Sequence, residues 1–538
     1  MRYDRGMGRR TGGAVAVRGN LDGVLRRLVP LALLVLILNG LPFALAGAPG
    51  VGDVAHLRAI ALPIGRLLGW IAGTPAPDLV PAPLRSAPLP LLVDWLIWRA
   101  LPFGMAGLRL VHLLLAAAAL GLLLRALSMR MDLRTAVVAG FAIALSPRIV
   151  EPITNLGPDP FVISLFCVQL AMLLTRGKIG GPAPLASFGA SAAASGLCGV
   201  TGMIASASLL AMLLFAAPDR RDLWRRLRVS LLVLLVWAFP LAIQLGAGRD
   251  DAMSSIGLAR LGTKLVAHNA DLLLIPGAAL LAAGTAVLIL LGTYSYGERL
   301  LRNGPSERTH PFALLLLATA VGGALVLVAG PLLRLYVWIE PPAQAWLALL
   351  LILLAAACFT PRLVVATDGL RRLRRFGTAM MIAGALIGTI AFQYRADWFA
   401  AGPETGLGRA LEAAGRDHAI VYAGGDWGRA YFPHAWLMPQ DDDQWLLAFD
   451  GTMVQRVLPG GQLGPSQPLA ALDGYGALVI ARIDRRGWRD LNAVTNTQAI
   501  GALPPAPLDG FSKAWIAEPA QAAPGEYWLT TQLLRKSG

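Results

Sequence analysis

The chain has 538 residues, 56% of them hydrophobic and only 15% charged, with a mean hydropathy of +0.59. Soluble domains carry about 25% charged residues, so this composition excludes an ordinary water-soluble protein. The formal net charge of +15 does not call for nucleic acid as a partner, because Lys and Arg gather in the cytoplasmic loops of membrane proteins.

The N-terminal stretch MRYDRGMGRRTGGAVAVRGNLDGVLRR is basic, and the apolar run after it offers no convincing small-residue cleavage site. Residues 1–27 therefore read as a cytoplasmic tail ahead of an uncleaved first membrane helix. Apolar runs then cover 28–46, 105–125, 134–149, 159–175, 184–198, 200–217, 229–246, 271–293, 312–333, 342–360 and 376–393. A bilayer core requires runs of about 20 residues. The stretch 184–217 reads as one long helix or as two, and loop charge decides between them. The connections LRALSMRMDLR, LLTRGK, PDRRDLWRRLR, YGERLLRNGPSER and TPRLVVATDGLRRLRRFG share one side of the membrane only if 184–217 is two helices. The positive-inside rule thus predicts a polytopic α-helical membrane domain over 28–393, with about 11 transmembrane helices and the N-terminus inside.

Cys167, Cys198 and Cys358 fall in separate apolar runs without CxxC spacing, which points to packing and to no metal or redox site. The predicted topology places the loops 47–104, 149–158 and 247–270 and the segment 394–538 on the outer face. The loop 47–104 is far longer than the connections of about 2–8 residues that usually join helices. Its stretches LRAIALPIGRLLGWIAG and APLPLLVDWLIWRALPF read as amphipathic helices lying in the interface. Residues 394–538 read as a small α/β domain, in which HAIVYAGG, QWLLAFDG and GALVIARI are buried strands.

Candidate chemistry collects on the outer face. Asp53 lies just past the first helix, followed by His56 and Arg58. Glu151, Asn155 and Asp159 flank the start of the fourth apolar run, where Asp159 has helix capping as its plainer role. Arg249, Arg260 and Lys264 place positive charge on an outer loop, where it is normally depleted, and an anionic lipid phosphate would account for them. His112 and Arg109 near the outer end of the second run either snorkel and pair or serve function. The acidic run Asp441–Asp443 has no His or Cys near it and reads as a solvated turn.

The order of these motifs resembles the GT-C membrane glycosyltransferases. Pro88, Leu89, Trp95, Gly104 and Arg109 match the run that leads into that family's second helix, and Pro158 and Asp159 match a "PD" step that opens its fourth. The similarity is to the bacterial protein O-mannosyltransferase-like and lipid A aminoarabinose transferase-like branch. Two positions depart from the pattern: Val54, not Glu, follows Asp53, and Gly196, Leu197 and Thr201 lack the accompanying Lys.

The resemblance implies a bacterial inner-membrane enzyme with a periplasmic C-terminal domain. It implies inverting transfer of a sugar from a polyprenyl-phosphate donor to a glycan, lipid or protein acceptor. Asp53 would be the catalytic base. His56, Arg58, Glu151, Asn155 and Asp159 would bind substrate. Arg249, Arg260 and Lys264 would hold the lipid phosphate. No metal ligand set is visible, although the family leaves room for a divalent cation. The rival readings are a non-catalytic relative that binds a lipid-linked sugar or a partner, and a polysaccharide or lipid transporter, which would show repeated halves and charge at mid-membrane.

Overall fold

The computed structural model describes residues 10–46, 56–57, 59–73, 85, 87–101, 104–175, 181–247, 277–304, 310–326, 345–359, 363, 367–400, 410–423, 443–447, 453–457, 463–484, 511–516, 520–523 and 527–536. Helices cover most of the described part of each of the eleven apolar runs. In chain order these are α1 (Arg10–Ala46), α4 (Gly104–Arg130), α5 (Leu133–Ala144), α7 (Asp159–Thr175), α8 (Pro182–Gly196), α9 (Val200–Phe215), α10 (Arg220–Ala247), α11 (Ala278–Asn303), α12 (Pro311–Ala324), α13 (Ala345–Ala357) and α14 (Asp368–Ala400). Three further helices, α2 (Ile64–Ala72), α3 (Pro88–Ala100) and α6 (Pro147–Thr154), lie between them.

Helices α2 and α3 occupy the two stretches of the first long loop expected to be interfacial. Helix α1 starts well inside the stretch read as a tail. The outer connection expected at 149–158 is in large part helix α6, which turns 65° from α5. Pro147 causes the break: it has no N–H to extend the α5 ladder, and it sits at the first turn of α6, where none is needed.

Among the described residues, four helices are long and apolar enough to cross a membrane, in α1, α4, α10 and α11, or five if the bent α5–α6 pair is one span. Helices α7, α9, α12 and α13 are apolar but shorter. The 184–217 stretch is two helices. Gly199 sits at the elbow with φ +95°, a conformation that glycine adopts without steric cost. The returning helix comes so close that a Cβ on Gly202 would lie 1.9 Å from the Ser195 carbonyl oxygen. Small residues also let α11 and α14 touch through their backbones: a Cβ on Gly384 would lie 2.2 Å from the Leu281 nitrogen.

Cross-helix hydrogen bonds gather particular helix ends. Asn39 donates to the Ala144 carbonyl at 2.9 Å, Thr389 to the Leu145 carbonyl at 2.7 Å, and Arg109 to the Phe43 carbonyl at 3.2 Å. These join the C-terminal part of α1, the start of α4, the end of α5 and the second half of α14. The alternation of helices predicted from loop charge assigns the same ends to one side. At the other end, Arg226 donates to the Leu213 carbonyl at 2.6 Å and pairs with Asp222 at 2.5 Å. The apolar core runs through most of the bundle, from Leu36 to Met381, and all three cysteines are buried in it.

The C-terminal segment builds an eight-stranded mixed sheet in the order β4-β3-β2-β1-β5-β8-β6, with β7 also paired to β8. The strands are β1 (His418–Ala423), β2 (Asp443–Leu447), β3 (Met453–Val457), β4 (Leu463–Pro468), β5 (Ala477–Asp484), β6 (Phe511–Ile516), β7 (Ala520–Ala523) and β8 (Tyr527–Lys536). The three apolar runs read as strands are β1, β2 and β5, the parallel centre of the sheet, and the flanking pairs are antiparallel. Central parallel strands are covered on both faces, which is why they read as continuous apolar runs. Asp443 opens β2 and is not part of a free turn. Its carboxylate accepts from the Tyr475 hydroxyl at 2.6 Å and pairs with Arg456.

Candidate active site

Helix α3 organises the outer end. Pro88 occupies its first turn, where a missing N–H costs nothing, and the free N–H of Leu89 donates to the Leu197 carbonyl at the α8–α9 elbow, 3.1 Å away. One face of α3 then grips the chain ahead of α2. Trp95 Nε1 donates to the Leu62 carbonyl at 3.0 Å, and Arg99 to the Ala61 carbonyl at 3.3 Å while stacking over the Trp95 ring. Beneath these ties lies an apolar cluster that includes Leu57, Ile60, Leu67, Trp70, Leu91, Leu108 and Leu156. The interfacial loop is thus packed against the start of α4 and the end of α6.

Asp94 sits inside this contact with no solvent exposure. Its Oδ2 lies 2.7 Å from His56 Nε2, and its Oδ1 lies 2.7 Å from His112 Nε2. The second ring nitrogen of His112 lies 3.1 Å from the Asn155 carbonyl, and the edge of the ring meets Phe161 of α7. A carbonyl oxygen only accepts, and so does a carboxylate. Both groups that face the His112 ring are therefore acceptors. Burial opposes the ionisation of Asp94, but His112 and His56 together outweigh it and hold the carboxyl below the usual carboxylate range. A buried carboxylate between two imidazoles is stable only as a fully bonded unit. One network therefore ties four parts of the chain: the segment at 56, α3, α4 and the α6–α7 connection.

The residues expected to form a site fall into two groups. His56 is in this network and 1% exposed. Glu151 lies within α6 and Asp159 is the first residue of α7; both are half-buried and engaged with neighbours. Asn155 follows α6 and supplies its backbone carbonyl to His112. These four residues belong to the end of the bundle that holds Asp94. Asp53, Arg58, Arg249, Arg260 and Lys264 lie outside the described residues. Asp94 escaped the sequence reading, because a single Asp in LLVDWLIW reads as the polar side of an interfacial helix. Its only signal was membrane-level polarity shared with His112. Among the described residues no three His, Cys, Asp or Glu side chains group as metal ligands, and the two imidazoles and Asp94 turn their facing atoms on one another.

No protein-family model and no curated protein matches the sequence. Solved structures do. ArnT from Cupriavidus metallidurans in the apo state is 14% identical, with a TM-score of 0.49, over 95% of this chain and 98% of that one. The arabinofuranosyltransferase AftD from Mycobacteria is 18% identical, with a TM-score of 0.47, over 95% of this chain and 40% of that one, so this chain spans less than half of AftD. The Archaeoglobus fulgidus oligosaccharyltransferase is 12% identical, with a TM-score of 0.43, over 74% of this chain and 63% of that one. At such identities the likeness is one of chain arrangement alone. Likenesses at these identities and TM-scores assign neither a family nor a role to this chain.

Proposed function

We propose that this protein transfers a sugar from a polyprenyl-phosphate donor to an acceptor hydroxyl at the outer, periplasmic face of the bacterial inner membrane. The observation that carries the reading is the Asp94 network. It fixes the long first loop to α4 and to the α6–α7 connection, so that residues of two loops expected on the outer face share one end of the bundle. A connector would not need a buried, fully bonded carboxylate to hold it in place. Asp53 begins the same loop, three residues before His56.

In the proposed reaction the Asp53 carboxylate takes the proton of the acceptor hydroxyl as its oxygen attacks the anomeric carbon. The new C–O bond forms on the face opposite the lipid phosphate. The old C–O bond breaks, its electrons go to the phosphate oxygen, and the configuration inverts. Arg58, Arg249, Arg260 and Lys264 stabilise the charge that grows on the leaving phosphate. Asp159, at the positive end of α7, and Glu151 orient the acceptor.

Two measurements bear on this reading. Neutralising Arg249, Arg260 and Lys264 together is expected to weaken polyprenyl-phosphate binding and to remove its salt dependence, since screening acts on charge pairs of this kind. Unchanged binding would return the loop 247–270 to a connecting role. A phosphatase fusion after Gly538 is expected to be active outside the membrane and one after Gly304 inactive. A cytoplasmic report at Gly538 would remove the outward site altogether.

A further inference from the structure

Four arginines converge at the end of the bundle opposite Asp94. Arg371, Arg374 and Arg375 lie near the start of α14, at spacings that put them on one face of the helix. Arg134, at the start of α5, comes near enough to repel Arg374, as Arg371 and Arg375 do. Arg374 is half-buried, with its Cζ 5.6 Å from the centre of the Phe359 ring. Among the described residues no carboxylate acts on it. Asp368, which opens α14, pairs with Arg371 at 3.4 Å but is 85% exposed, so water screens that pair. The gathering of Arg on the inner side explains the sign of this surface, but not its convergence. Loop charges can spread apart in water. Here a partly desolvated guanidinium is surrounded by three others of the same charge, an arrangement that costs free energy until an anion balances it. Arg134, Arg371 and Arg375 are exposed, so an anion reaches the cluster from outside and needs no cavity. Leu373 and Phe376, beside these arginines on α14, are 42% and 58% exposed. Charge next to uncovered apolar side chains matches a lipid, in which phosphate and acyl chains are joined, better than a free phosphate ion.

We infer that Arg134, Arg371, Arg374 and Arg375 bind the phosphate of an anionic bilayer glycerolipid such as phosphatidylglycerol, whose chains lie along Leu373 and Phe376. The guanidinium fork meets two phosphate oxygens at once, which suits arginine better than lysine to this contact. The lipid bridges α5 and α14 at the end of the bundle away from the Asp94 network. It takes no part in sugar transfer, so the inference stands apart from the transferase reading.

The test is native mass spectrometry of the full chain in detergent, titrated with phosphatidylglycerol or with phosphatidylcholine of the same chain length. The wild type is expected to hold its first phosphatidylglycerol roughly 10-fold or more tightly than its first phosphatidylcholine. Arg134→Gln and Arg375→Gln change exposed side chains and should leave the thermal midpoint in place. Each should lower the preference about 5-fold, the scale of one basic side chain at a lipid surface. Arg221→Gln and Arg225→Gln, at exposed positions on α10, should leave the preference unchanged. Glycerol phosphate carries the headgroup charge without chains and should not displace the lipid. A wild type with no preference, or a preference that survives Arg134→Gln or Arg375→Gln, would overturn the inference. An equal loss from the α10 variants would also overturn it, since the attraction would then be diffuse surface charge. So would displacement by glycerol phosphate, which would make the cluster a site for soluble anions. Loss of undecaprenyl phosphate binding from Arg134→Gln and Arg375→Gln, with phosphatidylglycerol binding unchanged, would overturn both this inference and the outward donor site.

Discussion

Asp94→Asn is expected to destabilise the protein by about 3–5 kcal/mol, the usual cost of removing one partner from a buried charge pair. The carboxylate accepts from two imidazoles. An amide has one oxygen, so one of the two imidazoles would lose its carboxylate acceptor, and the buried network would lose the carboxylate's charge. Trp70, Trp95 and Trp98 belong to the cluster around this contact, and their fluorescence should report the loosened loop at a lower unfolding temperature. The pH dependence follows from the lowered Asp94 carboxyl. A group whose folded value is depressed stabilises fully above the ordinary carboxylate range, and that contribution is lost as pH falls through the folded value. Wild type should therefore lose stability in acid across that window, and Asp94→Asn should be flatter there. An Asn variant with the wild-type midpoint would mean that the network is incidental.

Asp53→Asn is expected to lower sugar transfer by about 10²–10⁴-fold, the range that a positioned general base contributes. The substitution keeps the size of the side chain and removes its basicity, so insertion into the membrane and the unfolding temperature should not change. Asp53→Glu should recover little, because a further methylene moves the carboxylate out of a reacting geometry. Rates are to be read as release of polyprenyl phosphate from a glycosylated lipid. Transfer by Asp53→Asn at the wild-type rate would show that the base lies elsewhere, and the His56 ring, oriented by Asp94, would be the next group to test. The two predictions separate cleanly: Asp94 should act on stability first, and Asp53 on rate alone.

Hydrophobic length and loop charge made the membrane domain legible. Both are properties that a bilayer imposes on sequence directly, and the described parts of the apolar runs are largely helical, although among the described residues only four helices, or five with the bent pair, are long and apolar enough to cross a membrane. The split of 184–217 was legible because Arg-rich loops count the crossings, and Gly199 supplies the turn that the count required. Extra helical structure between runs was harder to see. Helix α6 hides in PRIVEPIT, whose two prolines and two charges look like a loop until its buried face, Ile149, Val150 and Ile153, is placed against the bundle. In the C-terminal sheet the buried parallel centre was visible as apolar runs. Strands such as β4, LGPSQP, carry no such pattern, because antiparallel flanks need only one covered face.

The site was legible in part for a similar reason. His56 drew attention through its place beside Asp53, and His112 through its polarity inside an apolar helix. Nothing local to Asp94 announces that residues 38 positions before it and 18 after it meet on its two oxygens. That meeting is a product of packing: Leu91 and Leu108 bring α3 onto α4, and Trp95 and Arg99 bring the chain ahead of α2 onto α3. The carboxylate is where those contacts converge.

The most direct test of the account is the position of the lipid phosphate in a structure of the full chain bound to undecaprenyl phosphate in nanodiscs. The account predicts phosphate at the end of the bundle that holds His56, Asp94 and His112, in contact with Arg58 and with at least one of Arg249, Arg260 and Lys264, and with Asp53 facing the bond to be broken. Phosphate bound instead at the opposite end, beside Arg226 and the arginines that open α14, would contradict it.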